Sequence, residues 1–190
     1  IDTAGQFPGR ALNPRERGYG LRDAGQYDSD CEVFSVCGAV VVYDRKMLEE
    51  IAVEGDVFDP GLWGFTEDYD VGWRARHAGW KSFYAHKAVA YHVRGGATDA
   101  VKPRLLSKYK FTRKSAAVKR RIYANYVKVL VKNAPMGALV RQSSFIISRY
   151  LALSAYLLFT SPAVLFAAWF DIIKDAGRLP FGVALDDAAA

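Results

Sequence analysis

The stretch from Trp63 to His92 constrains the fold more than any other part of the chain. It places the adjacent acids Glu67 and Asp68 directly before a helix-compatible run that reaches Gly79. Acids in the first turn and a glycine after the last turn are typical start and stop signals of an α-helix. We therefore predict that the acids open a helix, that its body runs over residues 69–78, and that Gly79 ends it.

The residue before the acids and the residues after the helix extend this prediction. Thr66 is expected to cap the helix, and the aromatic-rich residues 80–91 are compatible with an extended segment that His92 closes. Because helix starts and strand ends often share a cleft in α/β proteins, the acids and His92 are expected to face one site. Two plainer interpretations stay open: the acids only complement the helix dipole, and His92 is structural.

Aromatic residues surround the acids, namely Trp63, Phe65, Tyr69 and Trp73. Apolar neighbours raise the pKa of a carboxylate, and aromatic faces suit a flat or sugar-like ligand. We therefore predict a functional site here. Its expected substrate contacts are Trp63, Asp70 and Arg74.

The residues before this site predict further elements. The first thirty residues are rich in glycine and proline and predict a long loop, either a flap at the site or a plain surface loop.

Residues 32–43 are rich in β-branched and aromatic side chains, which indicates a buried strand. Gly38 within it favours either a close approach by a ligand or a bulge. Residues 44–53 predict a helix, with Met47, Leu48 and Ile51 facing the core, and residues 58–61 predict a turn.

Charge divides the chain into unequal parts. Residues 1–99 hold 11 Lys and Arg against 16 Asp and Glu, a net charge of −5, whereas residues 100–149 hold 13 Lys and Arg and no acid. Residues 99–121 could therefore bind nucleic acid through phosphates, but we do not favour a nucleic-acid partner. The helical pattern that follows places Ile122, Tyr126, Val129 and Leu130 on one face and basic groups on the other, as in interfacial helices.

Residues 150–170 contain no charged side chain. This length suits a kinked membrane span, a re-entrant pair or two short helices that break near Ser161 and Pro162, and a soluble helical hairpin is the alternative. Because a strongly basic segment precedes it, we favour contact with a membrane, on its cytoplasmic side. Residues 171–190 predict an amphipathic tail that frays.

Cys31 and Cys37 are expected to be reduced thiols, although a disulfide between them stays open.

One segment resembles a known family. The run F-T-E-D-Y-D-V-G-W-R-A-R-H-A-G-W, followed by A-V-A-Y-H, is similar to the acceptor-side half of inverting family 2 glycosyltransferases, especially rhamnosyltransferase-like members. The upstream runs I-D-T-A-G, R-G-Y-G-L-R-D-A-G-Q-Y-D, V-C-G-A-V-V-V-Y-D-R-K-M-L and F-D-P-G-L-W-G-F extend the resemblance in the same order. It covers about the first hundred residues, and such an ordered series is more specific than an isolated acid pair.

The resemblance implies roles for individual residues. Asp68 would be the general base that takes a proton from the acceptor hydroxyl, and Glu67 would orient the acceptor. Gly38 and Ala39 would line the cleft near the sugars. His92 would bind a divalent metal ion, Mn²⁺ or Mg²⁺, on the nucleotide diphosphate, and the remaining ligands would come from an upstream D-x-D motif.

The implied fold class is α/β: the C-terminal part of a GT-A, Rossmann-like glycosyltransferase domain, followed by a helical membrane-associating region. Residues 1–99 would be the acceptor-side half, 100–149 a basic helical connector and 150–190 the membrane-associating helices. Neither D-x-D triplet of the chain stands where the metal motif belongs, so we expect the nucleotide-binding half before residue 1 and no activity from this part alone. The implied partners are a nucleotide-sugar donor, a glycan or lipid-linked acceptor and the membrane surface. The alternative is a non-catalytic, membrane-anchored glycan-binding module.

Overall fold

A computed structural model of the chain describes residues 1–92, 111–112 and 114–177. These residues contain short strands, α-helices and one 3₁₀ turn at Pro60–Leu62. The mixed α/β class is therefore confirmed. In chain order the elements are β1 (Gln6–Pro8), β2 (Pro14–Glu16), β3 (Cys31–Val33), α1 (Arg45–Glu50), α2 (Glu67–His77), β4 (Ser82–Tyr84), α3 (Ala116–Asn133), α4 (Met136–Arg141), α5 (Ser143–Thr160) and α6 (Pro162–Ala176).

The strands form two small antiparallel pairs. In the first pair, β1 and β2 place Gln6 opposite Glu16, and in the second, β3 and β4 place Cys31 opposite Tyr84. A single bridge between Gln6 and Ser35 brings the two pairs together. The predicted loop over residues 1–30 is thus partly wrong, because its first half contains a hairpin.

The two predicted longer strands are also wrong over most of their length. Within these two segments, only Cys31–Val33 and Ser82–Tyr84 are strands, and Val40 and Val42 are 66% and 96% exposed. Their β-branched and aromatic composition indicates strand, but a buried strand needs neighbours on both sides. Among the described residues, β3 and β4 pair only with each other, so the segments beyond them do not extend the sheet.

Helix α2 lies at the centre of the residue 1–92 region. Its Val71 and Ala75 pack on the α1 side, while its Tyr69 and Trp73 pack on the α3 side. The predicted helix and its end are confirmed, since α2 stops at His77 and Gly79 follows with φ +82°. The predicted helix at residues 44–53 is confirmed in shorter form as α1, with Asp44 as its N-cap and the predicted Met47 and Ile51 buried.

Helix α3 is a core helix rather than an interfacial one. Lys119, Lys128 and Lys132 are at most 9% exposed, and each binds a partner inside the protein. The prediction that the basic face of this helix is free for a membrane surface is therefore wrong. The sequence pattern misled because the partners of these lysines lie far away along the chain. Lys119 donates to Tyr156 of α5, while Lys128 and Lys132 pair with acids in the turn before α2, in α2 and in α6.

Helices α5 and α6 form a hairpin that breaks at Ser161, directly before Pro162. The break near Ser161 and Pro162 is confirmed, and it fits both the two short helices and the helical hairpin among the predicted alternatives. Its inner side packs on α3 through a shared apolar cluster: Tyr123, Ala124, Leu157, Leu165, Ala168 and Ile172. Of the described residues, one helix, α5, is long and apolar enough to cross a membrane, a property that core helices of soluble proteins share.

Several predictions lie wholly or partly outside the described residues. Most of the basic segment 99–121 before α3 and the end of the tail at residues 178–190 belong to this group. Cys31 and Cys37 are not joined by a disulfide in the structure.

Candidate functional site

The carboxylate of Asp68 is held at the start of α2 by donors from three segments. Its Oδ1 accepts from the Tyr69 amide at 2.8 Å, and its Oδ2 accepts from the Gly38 amide at 2.9 Å and from the Gln6 side-chain amide at 3.1 Å. The side chain is nevertheless only partly buried. A carboxylate that is fixed in orientation yet reachable from solvent suits a general base.

The backbone beneath Asp68 is fixed as well. The Ser35 hydroxyl, which is fully buried, donates to the Asp68 carbonyl at 3.0 Å. A side chain at Gly38 would meet the Asp68 Cβ at 3.3 Å, a tight approach. The close approach at Gly38 is therefore made by Asp68 of the same chain, in a turn rather than in a strand, and an approach by a ligand stays a prediction. Ala39 follows Gly38 in the same exposed turn.

Gln6 is a site residue that the sequence does not reveal. It is 3% exposed and donates to both Asp68 and Glu16 from the first hairpin. Its contact with Asp68 spans 62 positions of the chain. A single glutamine in a turn-rich segment carries no pattern that would separate it from a solvent-facing residue.

Glu67 lies beside Asp68 in a less polar environment. Burial raises its pKa, and the charge of Asp68 raises it further, while its own backbone amide opposes the shift. One of its carboxylate oxygens, Oε2, is buried without a hydrogen-bond partner. This agrees with the sequence argument that aromatic neighbours would disfavour the charged form of an acid here.

Tyr43 is a second residue near the acids that sequence analysis missed. Its hydroxyl is buried without a hydrogen-bond partner. Burial raises the pKa of Tyr43 to about 12, and the charges of Asp68 and Glu67 contribute to the shift. It therefore offers a neutral hydroxyl within the electrostatic influence of both carboxylates.

The loop before the acids has an unusual backbone. Gly64, Phe65 and Thr66 all have φ values between +70° and +72°. For a non-glycine residue this conformation costs about 1–3 kcal/mol. Thr66 occupies the N-cap position of α2, as predicted, but its side chain makes no capping hydrogen bond, and its hydroxyl donates to the Phe65 carbonyl instead. The left-handed backbone at Thr66 accompanies this loss, because an N-cap residue normally has an extended conformation.

Helix α3 supplies the groups that hold this loop. The side-chain amide of Asn125, which is 4% exposed, donates to the carbonyls of Gly64 and Phe65 at 2.9 Å each, with a longer bond of 3.4 Å to Leu62. The guanidinium of Arg121 lies 3.9 Å from the ring centre of Trp63, whose side chain is otherwise exposed. Each net hydrogen bond contributes about 0.5–1.5 kcal/mol, so the Asn125 bonds can offset the backbone strain.

Asp70 and Arg74, the other two predicted substrate contacts, point into the protein. Asp70 is fully buried, and its carboxylate accepts from Arg74 at 2.8 Å, from Lys132 at 3.1 Å and from Asn133 at 2.7 Å. Arg74 also donates to the carbonyls of Ile51 and Val57. Both residues join α2 to its surroundings and present no open group beside Asp68.

His92, the predicted metal ligand, pairs with Asp2 at the other end of the described segment. Its Nδ1 lies 3.1 Å from the Asp2 Oδ2. A carboxylate at Nδ1 favours the proton on that nitrogen, which leaves the lone pair of Nε2 for a metal ion. Among residues 1–92, 111–112 and 114–177, no group of three or more His, Cys, Asp and Glu side chains is arranged to hold a metal.

Comparison with known proteins identifies the family. Residues 15–115, just over half of the 190-residue chain, match the family described as Glycosyltransferase like family 2. The chain belongs to this family. The matched region contains Asp68 and Glu67 and ends one residue before α3 begins. Membership implies glycosyl transfer from a nucleotide sugar to an acceptor. No curated protein and no solved structure matches the chain.

Proposed function

We propose that this glycosyltransferase moves a sugar from a nucleotide-sugar donor to a hydroxyl of a glycan or lipid-linked acceptor, with inversion, and that Asp68 is the general base. The observation that carries the proposal is the hydrogen bonding of Asp68. Amides from Gly38, Gln6 and Tyr69 hold a partly exposed carboxylate in one orientation. Such positioning is what a base needs before it meets a substrate hydroxyl.

The proposed reaction is a single displacement. The acceptor O–H gives its proton to Asp68 while its oxygen bonds to the anomeric carbon of the donor sugar. The bond from that carbon to the phosphate oxygen breaks, and the nucleoside diphosphate leaves with the bonding electrons. Because attack comes from the face opposite to the leaving group, the anomeric configuration inverts. General base catalysis of this kind typically contributes about 10²–10⁴-fold in rate.

Neighbouring residues have supporting roles in this proposal. Glu67 would orient the acceptor through its carboxylate, which has one oxygen without a protein partner. The exposed ring of Trp63, which is 72% accessible, would stack on a sugar face. The turn at Gly38 and Ala39 would line the cleft. We leave Asp70 and Arg74 out of the site, since their polar groups are engaged inside the protein.

We also propose that His92 contributes one ligand to a divalent metal ion on the donor diphosphate, with Asp2 orienting its ring. Such an ion would stabilise the charge that develops on the leaving diphosphate. The other ligands would come from a D-x-D motif. His92→Ala should then weaken the apparent affinity of the enzyme for Mn²⁺, as measured by activity over a metal titration, while Asp68→Asn should leave that affinity unchanged.

A GT-A arrangement, a rhamnosyltransferase-like specificity and a place on the cytoplasmic side of the membrane belong to the same proposal. Support for membrane contact comes from apolar side chains that α5 and α6 leave exposed. On α6, Phe166, Trp169, Phe170 and Ile173 recur at helical spacing and are between 44% and 69% exposed. Exposed apolar stripes of this kind mark sites of membrane or protein contact.

The alternative, a non-catalytic module that only holds a glycan, is separated from the enzyme by one substitution. Asp68→Asn keeps the shape of the side chain and removes its basicity, so transfer by the full-length protein should fall by about 10²-fold or more. Acceptor binding should change little. The assay follows nucleoside diphosphate release from uridine, guanosine and thymidine diphosphate sugars with a membrane lipid extract as acceptor. An unchanged rate would exclude Asp68 as the base.

A further inference from the structure

The position of Asp68 depends on a loop that lies outside any regular element. Gly64, Phe65 and Thr66 have left-handed backbones and lead directly into Glu67 and Asp68. The hydrogen-bond ladder of α2 begins with the Thr66 carbonyl, so the carbonyls of Gly64 and Phe65 lie outside it. They therefore need donors from elsewhere in the protein.

One side chain reaches both carbonyls, while the Thr66 hydroxyl adds a second bond to Phe65 alone. Asn125 of α3 directs its amide nitrogen at both carbonyls, at 2.9 Å each, and lies almost fully buried. An amide has two N–H groups and can serve two acceptors at once, whereas an aspartate of the same shape would present only acceptors. One turn earlier in α3, Arg121 stacks on Trp63, so the same helix contacts the loop at two points.

We propose that Asn125 is a positioning residue for glycosyl transfer: it fixes the loop at residues 62–65 so that Asp68 keeps the orientation set by Gly38 and Gln6. This inference rests on the proposed role of Asp68. The bonds from Gly38 and Gln6 to Asp68 are 2.9 and 3.1 Å long. A shift of about 1 Å at the start of α2 would break them, and displacement of that size can reduce a rate about 10²-fold.

The first test needs no substrate. Asn125→Asp removes the donors and should free the loop, so the amide of Gly38 should lose its bond to Asp68 and exchange with solvent at least tenfold faster, as measured by NMR hydrogen exchange. Tyr123→Phe is the matched control. It removes a 2.7 Å hydrogen bond between Tyr123 and Ser154 from the same buried helix, on the side away from the loop. The control should leave Gly38 exchange unchanged.

The second test measures turnover. Asn125→Asp should lower kcat about 10–100-fold per folded molecule, with the KM values for donor and acceptor within twofold. Added to Asp68→Asn, it should cause little further loss, because it acts through that residue. If Asn125→Asp does not fold, Asn125→Ser, whose hydroxyl can still donate one bond, is measured in the same two assays and should give a smaller effect in the same direction.

The outcomes separate this inference from the proposed function. Unchanged Gly38 exchange in the folded Asn125 variants would overturn the positioning role, whatever the activity. Faster exchange with normal kcat would also overturn it, provided that Asp68→Asn is inactive. If Asp68→Asn is itself fully active, the base assignment fails, and the exchange result then reports only on how the loop is held.

Discussion

The two regions of this protein, residues 1–92 and 114–177, are built by different means. The first contains four strands of only three residues each, and long-range side-chain hydrogen bonds connect its irregular segments. The second is almost entirely helical, with an apolar cluster at the junction of α3, α5 and α6. The proposed catalytic carboxylate belongs to the first region, while the residues that hold its loop belong to the second.

The difference shows how the site gains its rigidity. The family match ends at residue 115, immediately before α3, yet α3 provides Asn125 to the loop and both Lys132 and Asn133 to Asp70. An irregular region with little sheet pairing is thereby held against a regular helix. We expect substitutions at this junction to have larger effects than similar substitutions elsewhere.

The largest effect is expected for Asp70→Asn. The Asp70–Arg74 pair and the Arg45–Glu49 pair have the same spacing and the same 2.8 Å distance, but the Asp70 side chain is 0% exposed and the Arg45 side chain 91%. Loss of the buried carboxylate charge leaves the buried Arg74 without its acidic partner and Lys132 with Asp59 alone, which should lower the free energy of unfolding by about 3–5 kcal/mol.

Urea denaturation measures this difference, and Glu49→Gln is the control. The exposed pair should be worth less than about 0.5 kcal/mol. Equal effects of the two substitutions would show that the Asp70 network does not join the two regions.

The sequence predicts features that depend on neighbouring residues. The end of α2 follows from Gly79, and the break between α5 and α6 follows from Pro162, because a glycine and a proline act on the backbone at their own positions. The acid pair Glu67 and Asp68 at the start of α2 is likewise recognisable from the local sequence. These features need no knowledge of the tertiary fold.

The rest of the site depends on contacts between distant parts of the chain. Gln6 reaches Asp68 across 62 positions, and Asn125 reaches Phe65 across 60. The lysines of α3 have the pattern of a solvated basic face, but Lys128 and Lys132 are buried against acids that are distant in sequence, namely Asp59, Asp70 and Asp175. No periodicity or spacing in the sequence encodes such partners.

A smaller effect is expected where the helical region meets its surroundings. If α5 and α6 contact a membrane, Phe159 and Phe170, which are 86% and 65% exposed, should insert their rings. Full burial of one such ring contributes about 1.5–3 kcal/mol, so Phe159→Glu with Phe170→Glu should weaken binding to anionic vesicles by about 100-fold. A flotation assay at low salt and in 1 M NaCl measures this, and apolar insertion should survive the salt.

Val42→Glu is the matched control, because Val42 is 96% exposed but lies in the first region. It should leave flotation unchanged. If the double variant floats as well as the parent protein, the exposed stripe does not contact lipid, and the membrane part of the proposal fails.

The smallest effect concerns Glu67 and the pH dependence of stability. Burial, with help from the charge of Asp68, raises the pKa of Glu67 in the folded protein above its ordinary value of 4.5. Between these two pKa values the folded state holds a proton that the unfolded chain has lost, so the stability of the parent protein falls as pH rises through this window. Residue 67 cannot titrate in Glu67→Gln, so this variant should become more stable than the parent as pH increases, with a constant difference above the window.

Urea denaturation from pH 4 to pH 8 measures the difference, and Glu49→Gln, at an exposed acid of α1, should show no such trend. If the difference in free energy of unfolding between Glu67→Gln and the parent does not change with pH, the Glu67 carboxylate beside Asp68 does not lower the stability of the folded protein.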